Sequence, residues 1–214
     1  MKNIITVSNP LIDHYLGVIR DEQTGKNEFA QAIESIVYLM SSSITGNIGT
    51  AKKTVKTPLA DTEVAYFFDK ILVIPILRAG LAMFEPVKRI IPSATFGYLG
   101  IKRNQSGTGS KDFSADMYYC NLPPNLDEYK VLMLDVVVAT GVSTKHCIDY
   151  LIERGVKEEN ITLASLICAS EGIEKIRDNY PSMDLFTCAI DEVLTEKGYI
   201  LPGLGDAGDR YNGY

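Results

Sequence analysis

The residues that follow the apolar run 131–134 are of types that bind sugar phosphates. Asp135 comes directly after this run, and Thr140, Gly141 and Ser143 lead into a helical pattern. Backbone N–H groups at a helix N-terminus, together with the helix dipole and nearby hydroxyls, bind phosphate. A carboxylate at the end of a strand can accept hydrogen bonds from two ribose hydroxyls. The segment therefore indicates a sugar-phosphate site, although a turn cap and a tight connection would also explain these residue types.

Two further segments suit a pyrophosphate and a flat ligand. Arg78 and Gly80 follow a second buried run, residues 71–77, and a guanidinium can pair bidentately with pyrophosphate oxygens. Residues 199–210 carry three glycines and Ala207 around Asp206, which would let main-chain N–H and C=O groups reach the edge of a flat ring. A surface arginine and a loose tail are the alternatives, but the apolar residues of the tail favour packing.

Alternating strands and helices must position these segments. Runs of β-branched and aliphatic residues predict strands, and apolar residues at helical spacing predict helices. The predicted strands are residues 71–77, 94–101, 130–134, 161–168 and 185–190, and the predicted helices are residues 26–44, 81–91, 143–154 and 171–180. Residues 102–116 are polar and rich in glycine and serine, which predicts a mobile loop. The order indicates an α/β fold with a mostly parallel sheet flanked by helices, and ligands at the carboxyl ends of its strands.

Length and charge narrow the class of protein. The 214 residues suit one domain, residues 1–214, with a core large enough to fold without disulfides or metals. Hydrophobic residues make up 46% of the chain and charged residues 22%, as in globular proteins. The net charge is −6 and the sequence pI about 5.0, so attraction to nucleic acid would need a local basic patch. The composition therefore predicts a protein without a nucleic-acid partner.

The termini and the cysteines predict a cytoplasmic protein. Residues 1–9 lack the basic start and long apolar core of a signal peptide, and the chain has no run of about 18 apolar residues that could cross a membrane. The four cysteines are widely spaced and only two histidines are present, which argues against a zinc site. We expect the cysteines to be buried free thiols.

Taken together, the three segments resemble those of the uracil phosphoribosyltransferases. That family commonly reads Ile-Leu-Arg-Ala-Gly-Leu, then Asp-Pro-Met-Leu-Ala-Thr-Gly-Gly-Ser, then Pro-Gly-Leu-Gly-Asp-x-Gly-Asp. This chain carries matching segments at residues 76–81, 135–143 and 202–209, in the same order. The resemblance spans nearly the whole chain, including Arg20, Tyr118 and the Glu171-Gly172-Ile173 stretch. It implies a type I phosphoribosyltransferase fold with a flexible loop, and synthesis of uridine monophosphate from uracil and phosphoribosyl pyrophosphate.

The resemblance also implies roles for particular residues. The catalytic set would be Asp135, Arg103 and Asp206. Contacts to phosphoribosyl pyrophosphate would come from Arg78, Arg103, Asp135, Val138, Ala139, Thr140, Gly141, Val142, Ser143 and Asp206. Uracil would be bound by main-chain groups of Tyr199, Ile200, Gly205 and Ala207, a set without a cation for the carboxylate of orotate. Magnesium would be held through pyrophosphate and water, without direct protein ligands. A homodimer or higher oligomer and a GTP effector are further implications.

The sequence departs from the family pattern within the phosphate segment. The usual Pro-Met-Leu is Val136-Val137-Val138, and the second glycine is Val142. Because a β-branched residue disfavours positive φ, a turn that needs positive φ at this position would have to be reshaped. This departure motivates one alternative function, a catalytically impaired homologue. The other alternative is a pyrimidine-nucleotide sensor that binds RNA through Lys52, Lys53 and Lys56, although these residues also fit a solvated face.

Overall fold

Six helices surround the sheet in the residues that the structure describes. The computed structural model covers residues 4–105 and 113–214, without the side chains of Arg103 and Gln105. The helices are α1 (Pro10–Arg20), α2 (Lys26–Ile44), α3 (Leu81–Ile90), α4 (Val142–Ile152), α5 (Ser170–Asn179) and α6 (Ala207–Asn212). Within the described ranges, no helix is long and apolar enough to span a membrane.

The strands form one large, mostly parallel sheet and two small hairpins. In the described residues they are β1 (Ile4–Thr6), β2 (Thr50–Lys56), β3 (Asp61–Phe67), β4 (Lys70–Leu77), β5 (Thr95–Phe96), β6 (Tyr98–Gln105), β7 (Phe113–Asn121), β8 (Tyr129–Val138), β9 (Ile161–Ala169), β10 (Asp184–Thr187), β11 (Ala189–Asp191), β12 (Val193–Leu194) and β13 (Ile200–Leu201). The large sheet has the order β1-β10-β9-β8-β4-β6-β7. Its pairs are parallel except for the antiparallel pair of β6 and β7. The predicted α/β class is confirmed.

Both faces of the sheet are covered, which explains the continuous apolar runs of its central strands. Leu132 and Leu134 of β8 pack with α1, α2 and α3 in one cluster. Val131 and Met133, which alternate with them, pack with α4 and α5 in a second cluster. The ligand-facing edge at the carboxyl ends of β4, β8 and β9 is therefore built on two buried layers.

The strand predicted for residues 130–134 is too short. β8 continues to Val138, because its three consecutive valines extend the ladder and pair with β9 at Ile167 and Cys168. Asp135 therefore lies inside a strand, opposite Ser165, and not beyond a strand end. The predicted strand 185–190 is divided into β10 and β11, both of which pair with β9.

The predicted mobile loop is wrong at both ends. Residues 102–105 of β6 pair with residues 113–116 of β7 in a regular antiparallel ladder. The ladder was not predicted because the alternation of half-buried Phe113, Ala115 and Met117 on β7 is short and follows a polar stretch rich in glycine and serine. Residues 106–112, the middle of the predicted loop, lie outside the described residues.

Helix α1 and the hairpin β2–β3 are among the elements that were not predicted. α1 begins with Pro10 after Asn9, whose side chain accepts hydrogen bonds from the N–H groups of Leu11 and Ile12, a standard start signal. β2 and β3 form a largely exposed hairpin that carries Lys52, Lys53 and Lys56. Among the cysteines, Cys147, Cys168 and Cys188 are buried free thiols as expected, whereas Cys120 is exposed.

Candidate active site

A cleft of about 710 Å³ opens at the carboxyl ends of β4 and β8. It brings together five residues that the sequence separates widely: Arg78, Asp135, Ser143, Tyr199 and Asp206. All five belong to the predicted site. The remaining lining residues, which the predicted set did not include, are Ile76, Leu77, Ala79, Ile101, Lys102, Tyr118 and Gly208.

The predicted phosphate segment turns sharply between β8 and α4. Gly141 has φ +71° and precedes the first residue of α4, and its carbonyl accepts the first helical hydrogen bond from the Lys145 N–H at 2.8 Å. The Thr140 hydroxyl accepts a long hydrogen bond of 3.4 Å from the N–H of Val142, the first residue of α4, and the N-cap residue Gly141 adds no side-chain bond. The N–H groups that follow Val142 in the first turn point out of the helix end, where an anion can accept from them.

Val142 fits this turn without strain. It is the first residue of α4, and the left-handed conformation falls on Gly141 before it. In the described residues, positive φ at a non-glycine occurs at Asn125. The substitution of valine for the usual second glycine therefore does not reshape the turn, and this reason for expecting an impaired homologue is removed.

The other side of the turn rests on α5. A Cβ atom on Gly172 would lie 2.3 Å from the carbonyl oxygen of Ala139, and one on Gly141 would lie 3.1 Å from the carbonyl oxygen of Gly172. The two backbones are thus in direct contact, which only glycine permits. Val138 and Thr140 are buried behind this contact, so Val138 can serve a ligand only through its main chain.

Asp135 is a buried carboxylate at the floor of the cleft. It is 8% exposed, and burial raises the pKa of its side chain to about 7, although hydrogen bonds from the backbone of Val137 and Val136 oppose the shift. A carboxyl with a pKa near neutrality can change its protonation state when a charged ligand binds.

Arg78 lies at the rim of the cleft, just after a cis peptide bond from Leu77. Its Nη2 lies 3.0 Å from Oδ1 of Asp209, and its side chain is half exposed. A Cβ atom on Gly80 would lie 2.4 Å from the carbonyl oxygen of Leu134, so the turn after β4 packs directly on β8. The guanidinium can exchange an exposed carboxylate for a pyrophosphate, because exposed ion pairs are weak.

Of two other predicted site residues, Asp206 is described in full and Arg103 only by its backbone. Asp206 accepts a hydrogen bond from the Asp209 N–H at 2.9 Å and so caps α6. The backbone of Arg103 lies in β6, opposite Ala115, but its side chain lies outside the described residues. Asp209 was not among the predicted site residues, although the glycine-dense motif contained it.

A smaller cavity of about 150 Å³ adjoins the cleft and shares Ala79, Asp135, Tyr199, Asp206 and Gly208 with it. Its walls include all four residues predicted to bind the base: Tyr199, Ile200, Gly205 and Ala207. Val137, Ala139 and Ile167 supply an apolar side, and Gly203 and Leu204 complete the tail side. The cavity is therefore a narrow slot with an apolar wall and a main-chain wall.

Comparison with known proteins identifies the family. The family model described as uracil phosphoribosyltransferase matches residues 5–213. A uracil phosphoribosyltransferase of Thermoanaerobacter sp. (strain X514) is 40% identical over 99% of this chain and 98% of its own length, and one of Campylobacter concisus is 39% identical over 98% of both chains.

Solved structures share the fold of this chain. A protein of Aquifex aeolicus superposes with a TM-score of 0.88 at 30% identity, over 97% of each chain. The adenine phosphoribosyltransferase of Trypanosoma brucei superposes with a TM-score of 0.60 at 13% identity, over 96% of this chain and 89% of its own, and shares the fold. The chain thus belongs to the uracil phosphoribosyltransferase family.

Proposed function

We propose that this chain transfers the 5-phosphoribosyl group of phosphoribosyl pyrophosphate to uracil, producing uridine monophosphate and pyrophosphate. The observation that carries the proposal is the pair of adjoining cavities, which share Asp135, Tyr199 and Asp206. A base in the slot and a sugar phosphate in the cleft would meet at this shared boundary. Family membership over residues 5–213 supports the same activity.

The reaction forms a bond between a uracil nitrogen and the anomeric carbon, and that nitrogen loses its proton to solvent. The bond from the anomeric carbon to pyrophosphate breaks, and its electron pair leaves with pyrophosphate. The protein must mainly align the two substrates and stabilise the departing anion. In our proposal the first-turn N–H groups of α4 and the Ser143 hydroxyl bind the 5-phosphate, while Asp135 accepts from the ribose hydroxyls. Arg78 leaves Asp209 to bind pyrophosphate, and Arg103 assists it.

Magnesium in the cleft would be coordinated mainly by oxygen atoms of the substrate, and less by oxygen atoms of the protein. Asp135 and Asp206 offer hard oxygen donors at the cleft wall, and the described residues contain no group of three or more candidate metal ligands. Such a donor set suits an ion held largely by phosphate oxygens and water. Bound to pyrophosphate, the ion would offset the negative charge of the leaving group.

The slot suits uracil better than orotate. Its described lining contains no lysine or arginine to pair with the orotate carboxylate. Burying that carboxylate without a partner would be costly, whereas neutral uracil can be recognised by main-chain N–H and C=O groups.

The assay compares initial rates of mononucleotide formation from uracil, orotate and hypoxanthine, with magnesium and phosphoribosyl pyrophosphate present. We expect uracil to react on the order of 100-fold faster than orotate or hypoxanthine. Chelation of magnesium should stop the reaction, and added magnesium should restore it. Equal rates with orotate would contradict the assignment of the base slot.

A homo-oligomer, a GTP effector and a cytoplasmic location remain proposals from the sequence. The exposed hairpin β2–β3 offers one support for assembly, because Leu59 is 97% exposed and Phe68 is 71% exposed. Leu59 lies at the tip of the hairpin and Phe68 at its base, where the Phe68 N–H donates to the Gly49 carbonyl, and exposed large apolar side chains are typical of a protein interface.

A further inference from the structure

The base slot is held in shape by an arginine of α1. Arg20 binds Asp191 through both guanidinium nitrogens, with Nη1–Oδ2 and Nη2–Oδ1 distances of 2.7 and 2.8 Å. Its Nη1 also donates to the carbonyl oxygen of Gly203 at 2.8 Å, while the Gly203 N–H donates to Oδ2 of Asp191 at 2.9 Å. Both main-chain polar groups of Gly203 are thereby fixed by this one pair of side chains.

The network is partly buried and charged. The Arg20 side chain is 25% exposed and the Asp191 side chain 7%. Burial alone would raise the pKa of Asp191, but the hydrogen bonds from Arg20 and Gly203 outweigh burial and hold the pKa below its usual value. Hydrogen bonds to ionised groups at such sites are among the strongest in proteins.

A second arginine ties the next residue of the slot to the same end of α1. Arg210 Nη1 donates to the carbonyl oxygens of Leu204 at 2.8 Å and Ile19 at 2.5 Å, and its Nη2 donates to that of Asp21 at 2.6 Å. Its guanidinium also lies over the Phe29 ring, 4.3 Å from the centroid. At the end of α1, Arg210 donates only to main-chain carbonyl oxygens in these two bonds. The link therefore depends on where the backbone lies and not on the side chains of Ile19 and Asp21.

The backbone at Gly203 has little room to adopt another conformation. It has φ +58°, and a Cβ atom there would lie 2.2 Å from the carbonyl oxygen of Ile200, which also lines the slot. Gly203 and Leu204 line the base slot and are absent from the described lining of the larger cleft. The two arginines therefore act on one cavity and not the other.

We propose that Arg20, Asp191 and Arg210 are positioning residues that fix the main chain of residues 203–204 and thereby set the affinity for uracil, but not for phosphoribosyl pyrophosphate. The inference rests on the proposed function, because it assigns the smaller cavity to the base. None of the three side chains needs to touch either substrate.

The test measures KM for both substrates in Arg20→Lys. A lysine keeps the charge but cannot bind both Asp191 oxygens and the Gly203 carbonyl together. Loss of one charge-assisted bond should raise KM for uracil about tenfold, with KM for phosphoribosyl pyrophosphate changed less than about twofold. A merely destabilising change lowers the folded fraction, which lowers the apparent kcat and leaves both KM values unchanged.

Two variants serve as a check and a control. Asp191→Asn keeps an acceptor but removes the charge, and should show the same selective rise in KM for uracil if Arg20→Lys folds poorly. Arg89→Lys disturbs another bonded ion pair, Arg89 Nη1 with Glu34 Oε1 at 2.6 Å, on α3 and α2, and should leave both KM values unchanged. Unchanged KM for uracil in both Arg20→Lys and Asp191→Asn, or an equal rise for both substrates, would overturn the inference.

Amide hydrogen exchange separates this inference from the proposed function. The Gly203 amide should exchange faster in Arg20→Lys than in wild type or Arg89→Lys, because its acceptor Asp191 loses its anchor. If the wild type does not use uracil, the proposed function fails, and the positioning of Gly203 is then judged by exchange alone. Equal exchange in all three proteins would overturn it.

Discussion

At the scale of single residues, the buried carboxyl of Asp135 makes the free energy of unfolding depend on pH. Burial raises the pKa of its side chain to about 7 from an ordinary value of 3.8. The unfolded chain therefore loses this proton at lower pH than the folded one. As pH rises from about 4, the contribution of Asp135 lowers the free energy of unfolding, and the loss is complete once pH passes the folded pKa.

Asp135→Asn should remove this pH dependence. Between pH 5 and pH 8, ionisation of Asp135 should cost the wild type about 1 to 3 kcal/mol in its free energy of unfolding, relative to the variant. Urea unfolding at both pH values measures the difference. The same change with pH in both proteins would show that Asp135 titrates at its ordinary pKa.

Substitution at Gly141 should be more harmful than substitution at Val142. Gly141→Ala places a Cβ at φ +71°, beside the Gly172 carbonyl, so we expect a loss of about 1 to 2 kcal/mol and weaker binding of phosphoribosyl pyrophosphate. Val142→Gly should lower the free energy of unfolding by at most about 1 kcal/mol, because glycine has a low helix propensity. It should not improve the binding of phosphoribosyl pyrophosphate. Thermal unfolding and substrate titration measure both. Tighter binding by Val142→Gly would contradict the assignment of positive φ to Gly141 alone.

Sequence reasoning placed in the candidate site the residues whose chemistry is local, and left out those whose proposed role comes from distant pairing. Thr140-Gly141 before a helical pattern suits an anion-binding turn, but such turns are common, and the family resemblance was needed to favour phosphate. By contrast, Arg20 and Asp191 are 171 residues apart, and only the arrangement of α1 beside β11 brings them together. Asp135 was found, but its position inside β8 depends on the pairing with β9.

At the scale of elements, α5 supports the phosphate turn through one backbone contact. Gly172→Ala should push its Cβ against the Ala139 carbonyl, displace the turn and raise KM for phosphoribosyl pyrophosphate by about tenfold or more. The steady-state rate at varied phosphoribosyl pyrophosphate measures this.

Gly17→Ala supplies the matched control for that variant. A Cβ on Gly17 meets no described atom within 4 Å, and Gly17 lies inside α1. This change should stabilise the protein by up to about 1 kcal/mol and leave KM unaltered. If Gly172→Ala behaved like Gly17→Ala, α5 would not support the turn.

Buried elements were predictable and exposed ones were not. β4 and α2 carry strong apolar patterns because each faces a core, and their predicted bounds agree with the structure to within one residue. The hairpin β2–β3 is stabilised by backbone pairing with side chains largely in solvent, so periodicity carries little information about it.

At the scale of the whole molecule, the exposed hairpin β2–β3 leads us to expect self-association. Phe68→Asp and Leu59→Asp would put charge on the exposed apolar residues of the hairpin and should shift the protein towards monomer. Sedimentation velocity of the wild type and both variants measures the mass. Lys56→Glu serves as the control, because it changes a charge on the same hairpin without replacing an apolar side chain. A monomeric wild type would refute the expectation.

The decisive measurement is the formation of uridine monophosphate and pyrophosphate from uracil and phosphoribosyl pyrophosphate in the presence of magnesium. Both products are followed with the wild type and with Asp135→Asn. We predict equal amounts of the two products from the wild type. The rate of the variant should be lower by at least about tenfold, as expected when a charge-assisted bond of about 1.5 to 3 kcal/mol is lost. No uridine monophosphate from the folded wild type, or equal rates for both proteins, would contradict the proposal that this cleft joins uracil to the sugar.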